Sequence, residues 1–80
     1  MMHKLNKVRD FKEDSIIIYK IKGQKDKYFS DPLKVMYHKI DLGLIVCSAI
    51  EYDLQISFTF RPNSFEYYRL NNDEVLARIL

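Results

Sequence analysis

Leu54-Gln55-Ile56-Ser57-Phe58-Thr59-Phe60 alternates apolar and polar side chains without a break, the period-two pattern of a strand with one face in a core and one in water. Leu54, Ile56, Phe58 and Phe60 therefore share the core face, and Gln55, Ser57 and Thr59 the opposite one, because a slip of one residue would exchange the two sets. Upstream, Leu44 to Ile50 (Leu-Ile-Val-Cys-Ser-Ala-Ile) is apolar on both faces, as an interior strand covered on both sides is. Glu51-Tyr52-Asp53 then turns the chain to make the two segments an antiparallel hairpin. The doubly apolar neighbour implies that the face bearing Gln55, Ser57 and Thr59 is covered over part of the sheet, by the C-terminal helix, the N-terminal segment or a second copy.

Arg61-Pro62-Asn63-Ser64 ends the alternating strand with turn chemistry, and Phe65 to Leu70 reads as another strand. Asn71-Asn72-Asp73-Glu74 reads as a helix start, with Val75, Leu76, Ile79 and Leu80 as the apolar stripe of a short helix and Glu74 to Arg78 as an i, i+4 pair. Toward the N-terminus, Ser15 to Lys22 is rich in β-branched residues and ends at Gly23, as a strand does. Ser30-Asp31-Pro32 offers a capped helix start; Leu33, Met36, Tyr37 and Ile40 follow at helical spacing, and Gly43 falls where a left-handed stop belongs. This spacing predicts a helix over about 31–42, the competing reading being an extended Lys34 to Ile40, since Val35 and Tyr37 suit a strand. Residues 1–13 are polar and mixed in charge, with Leu5, Val8 and Phe11 the only hint of a stripe, and read as a loosely held arm. The expectation is one α+β domain over residues 1–80, with a single small sheet of about four mostly antiparallel strands, a central helix and a short C-terminal helix. The order is β-α-β-β-β-α, the first two strands parallel if they are neighbours.

Eighty residues, 48% hydrophobic and 30% charged, make a folded domain near the lower size limit for an unaided core, where oligomerisation is a standard remedy. Cys47 is the only cysteine, which excludes an intramolecular disulfide and a cysteine-based zinc cluster. The first residues lack the apolar core of a signal peptide and no apolar run is long enough to span a bilayer, so a cytoplasmic protein is expected. Richness in Lys, Ile, Asn, Tyr, Phe and Met suits an AT-rich genome, such as that of a low-GC bacterium or its phage. The net charge of +2 hides an asymmetry. Residues 1–40 hold ten basic and five acidic groups, residues 41–80 three and six, and every lysine lies in the first half.

Little in the chain points to catalysis. His38 and Asp41, three apart on the expected helix, are too few for a metal site, and a solvated His38 is the plainer reading. Cys47 lies within an apolar run where burial makes a thiol inert. With two glycines twenty positions apart, no phosphate-cradling loop is possible. No enzyme activity, cofactor, metal or small-molecule substrate is expected. The aromatic load of six Tyr and five Phe exceeds what one side of a thin sheet hides. This favours a protein-binding or regulatory role, through itself as a homodimer and through another protein, by sheet-edge and aromatic contacts. Tyr52, Phe65, Tyr67, Tyr68, Ile79 and Leu80 are the candidate interface. The alternative is a nucleic-acid-binding module in which Lys20, Lys22, Lys25, Lys27 and Tyr28 meet the backbone and bases, against which stand the scarcity of arginine and the interspersed Asp and Glu residues.

Overall fold

The computed structural model describes residues 2–79, with side chains through residue 77. Its described strands form one antiparallel sheet: β1 (His3–Lys4), β2 (Ile16–Ile21), β3 (Leu33–Lys39), β4 (Leu44–Ala49), β5 (Gln55–Thr59) and β6 (Phe65–Arg69). The order across the sheet is β1-β6-β2-β3-β4-β5. β2 to β5 form an up-and-down meander, and β6 returns to the far side of β2, with Ile17 opposite Arg69 and Ile21 opposite Phe65. One helix, α1 (Asn72–Ile79), follows. Asn71 caps it: its Oδ1 accepts from the Glu74 amide at 2.9 Å while the Glu74 carboxylate accepts from the Asn71 amide at 3.2 Å, a reciprocal capping box.

The central helix expected over 31–42, and with it the four-stranded α+β order, is not what forms. Residues 33–39 are strand β3, followed by a single 3-10 turn at Ile40–Leu42. Of the supposed helical stripe only Leu33 is buried, whereas Met36, Tyr37 and Ile40 are exposed and Val35, outside the stripe, is fully buried. Proline at position 32 disfavours helical backbone at Asp31, and Val35 and Tyr37 prefer a pleated surface. A register shift between Val35 and Tyr37 adds a residue to β3 and disguises the period-two pattern. Gly43 is left-handed, with φ 60°, but the stop it supplies closes one turn only. β2 and β4 are not parallel neighbours, because β3 lies between them.

The sheet is strongly curled. In a flat sheet β5 and β6 would lie about 19 Å apart, four inter-strand steps of roughly 4.8 Å, yet the Phe58 ring stacks on Tyr67 at 5.6 Å and 8°. The concave side therefore encloses the core: Ile17, Leu33, Val35, Ile45, Cys47 and Tyr67, with Tyr19, Ile56, Phe58, Phe60 and Phe65 packed against them. The N-terminal residues expected as an arm supply two members of that core, Leu5 and Phe11. Phe11 presents its ring edge-on to Phe58, Phe60 and Tyr67, at 6.2, 5.5 and 5.5 Å. His38 pins the segment, since its Nδ1 lies 2.8 Å from the Phe11 carbonyl and must donate to that acceptor.

On the convex face Ile18, Val46 and Leu70 are buried, while Gln55, Ser57 and Thr59 of β5 are exposed. Cover lies over the middle of the sheet, and its β5 margin is bare. The Phe11→Ala variant should lose about 3–5 kcal/mol of stability in urea unfolding, the range for a buried Phe. A loss near zero would return residues 1–13 to the status of an arm.

Candidate binding groove along the open strand edge

The Phe60 amide donates to the Gly43 carbonyl at 2.8 Å and the Ala49 amide to the Leu54 carbonyl at 2.9 Å. With the β4–β5 register, these bonds turn the backbone groups of residues 54, 56, 58 and 60 toward β4. The N–H and C=O groups of Gln55, Ser57 and Thr59 consequently face away from the sheet. β5 is an edge strand, and no described backbone bond meets those groups.

Alongside that edge the concave face opens in two depressions that share Tyr19. One, of about 400 Å³, lies between β5 and the β2–β6 pair, lined by Tyr19, Ser57, Phe58, Thr59, Arg61, Phe65 and Tyr67. The other, of about 260 Å³, lies beyond Tyr19, where Ser30, Asp31, Pro32, Leu33, Ala49, Glu51, Tyr52, Leu54 and Ile56 meet. Their floor is a ring lattice: Tyr19 packs 5.8 Å from Phe58, 6.0 Å from Phe65 and 6.1 Å from Tyr67. The Tyr67 hydroxyl accepts from the Arg61 amide at 3.1 Å, tying the end of β5 to β6, and burial holds that hydroxyl above its ordinary pKa. Tyr52 and Leu54 at the mouth are more than half exposed, as is Ile21, which the register places opposite Phe65. Arg61 rims one end and Asp31 and Glu51 the other, and among the described residues none of the three makes an ion pair.

The candidate interface residues separate. Tyr52 and Phe65 line the groove, and Tyr67 forms its buried floor. Tyr68 lies on the other face, its ring 5.6 Å from Phe29 and its hydroxyl donating to Glu66 at 3.3 Å. The Ile79 side chain and Leu80 lie outside the described residues. Tyr19, Leu54, Ile56, Phe58 and Arg61 belong to the groove and were not among the candidates. For Leu54, Ile56 and Phe58 the signal is the alternating strand itself, whose core face becomes groove wherever the curl leaves it uncovered.

The lysine set also divides. The Lys20 ammonium donates to the Gln24 carbonyl at 2.7 Å and to Asp26 Oδ1 at 2.8 Å, lies 3.9 Å from Glu66 and sits 5.0 Å over the Phe29 ring. The bond to Asp26 holds its pKa above the ordinary value. Lys22, Lys25 and Lys27 are exposed on the loop that follows, with Lys27 5.1 Å over the exposed Tyr28 ring.

Among the described residues no group of His, Cys, Asp and Glu has the arrangement of a metal site, and no helix is long and apolar enough to cross a membrane. Compared with known protein families, curated proteins and solved structures, the chain matches none.

Cys47 is fully buried, and burial pushes its thiol from an ordinary 9.0 up to about 12. The unfolded thiol loses its proton where the folded one keeps it, so stability falls as pH rises from 9.0 toward about 12. At about pH 8 a thiol reagent should label the native protein only as fast as it unfolds, and the melting temperature should drop through the alkaline window. Prompt labelling of native protein would place the thiol outside the core.

Proposed function

We propose that this chain is a small non-enzymatic binding module that captures an extended segment of another protein on the open edge of β5. The supporting observation is a coincidence: three residues' worth of backbone donors and acceptors that no described backbone bond meets run beside an aromatic depression of about 400 Å³. Strand addition draws affinity from main-chain hydrogen bonds and specificity from the alternate side chains that meet pockets. The groove supplies those pockets with Tyr, Phe and Arg, types enriched where binding energy concentrates. A binding role rather than a catalytic one is supported by the commitment of the Tyr67 hydroxyl to the Arg61 amide and by the burial of the one thiol in the core. A regulatory role, if the module has one, acts through this capture.

The test uses the direction of one amide. Ser57→Pro deletes an N–H that faces away from the β4 ladder, a substitution edge strands tolerate. Random peptides selected by display on the wild-type protein should slow hydrogen exchange of the Gln55, Ser57 and Thr59 amides. Ser57→Pro should leave the melting temperature nearly unchanged while weakening those peptides about tenfold or more, the equivalent of one good hydrogen bond. Binders that protect other amides, or that ignore Ser57→Pro, would remove β5 as the site.

A further inference from the structure

We infer that the segment received by β5 runs antiparallel to it and is charge-polarised, acidic at its N-terminal end and basic at its C-terminal end. The inference rests on the edge-binding reading above and specifies its ligand. Every strand pair described in this sheet is antiparallel, and an added strand continuing that pattern places its N-terminus beside the end of β5. There stands Arg61, and at the other end stand Asp31 and Glu51, none of them ion-paired among the described residues. A groove with one cationic end and one anionic end is complementary to a segment of the opposite polarity, and the reverse segment sets like charges together.

Between the charged ends the register fixes the apolar positions. Ligand residues opposite Phe58 and Ile56 point to the concave side and are two apart, about 7 Å along a strand. The first meets the larger, aromatic depression and the second the smaller one. The ligand class is thus an acidic residue, three positions later an aromatic, two later a branched aliphatic, and then a basic residue, with small polar residues between. A second copy of this chain does not meet that description through its own β5, because its partly buried Phe58 and Ile56 already pack against its own core.

The probes are Asp-Gly-Thr-Phe-Thr-Ile-Thr-Gly-Lys and the same peptide with its terminal Asp and Lys exchanged, both acetylated and amidated to remove end charges. In fluorescence anisotropy with the full chain the first should bind about tenfold or more tightly than the second. The triple variant Arg61→Glu, Asp31→Lys, Glu51→Lys, whose changes are all at exposed positions, should invert that preference. Ser57→Pro should weaken both. Equal affinity for the two peptides, with both still lost in Ser57→Pro, overturns the polarity and leaves edge binding standing. Where neither peptide binds, the display-selected sequences decide: a consensus with an acidic N-terminal end supports the inference, and one without it overturns it. A concentration-dependent dimer in sedimentation that Ser57→Pro dissolves makes a second copy the occupant and overturns it as well.

Discussion

Phe58 and Tyr67 sit on strands four places apart in the sheet and yet stack at 5.6 Å, a contact available only to a sheet rolled on itself. Every other feature depends on that roll. It gives a thin sheet an inside, where Phe11 lies edge-on to three rings at the centroid spacings aromatic pairs favour. In a chain this short, a flat sheet would leave much of its aromatic surface in water. The bulge between Val35 and Tyr37 supplies local bending and twist within β3, and the Arg61 amide bonded to Tyr67 fastens the returning end.

Rolling is incomplete, and the groove is what remains. β5 turns its inner face into the lattice and keeps its outer backbone groups unmatched, while β1 covers β6 only from Tyr68 to Arg69, with a further bond from the Leu5 amide to the Tyr67 carbonyl. The convex face is organised differently. Lys20, Asp26 and Glu66 satisfy one another there, so part of the lysine excess of the first half is spent on acids within the same domain. The charge asymmetry of the two halves is in this measure a pairing of β2 and its following loop with β6.

Where side-chain period and burial agreed, the sequence was readable. The alternation at Leu54–Phe60, the doubly apolar Leu44–Ile50 and the capped helix at Asn71 each appear as β5, β4 and α1. β3 was ambiguous because its bulge moves Tyr37 out of phase with Val35, and a strand with one extra residue mimics helical spacing over a single turn. The N-terminal segment misled for another reason. Leu5 and Phe11 are isolated apolar residues among charges, and only a cavity built by distant strands gives them burial. The groove was half visible: its aromatic content was plain, and Tyr52 and Phe65 were singled out, but edge status is a property of strand order, which no local pattern encodes.

The placement of β6 between β1 and β2 also governs when the protein becomes itself. β1 has no partner, and Phe11 lacks the Tyr67 side of its cavity, until the sixth strand exists. A growing chain that has emerged only as far as β5 holds a four-stranded meander with its aromatic face bare, and the first dozen residues wait for β6. Such closure over nearly the whole chain length is the slow kind, because the entropy of joining distant ends is lost before the contacts that reward it form. Folding is therefore expected to finish only once β6 has emerged, and the moment of greatest exposure to wrong partners falls just before it arrives.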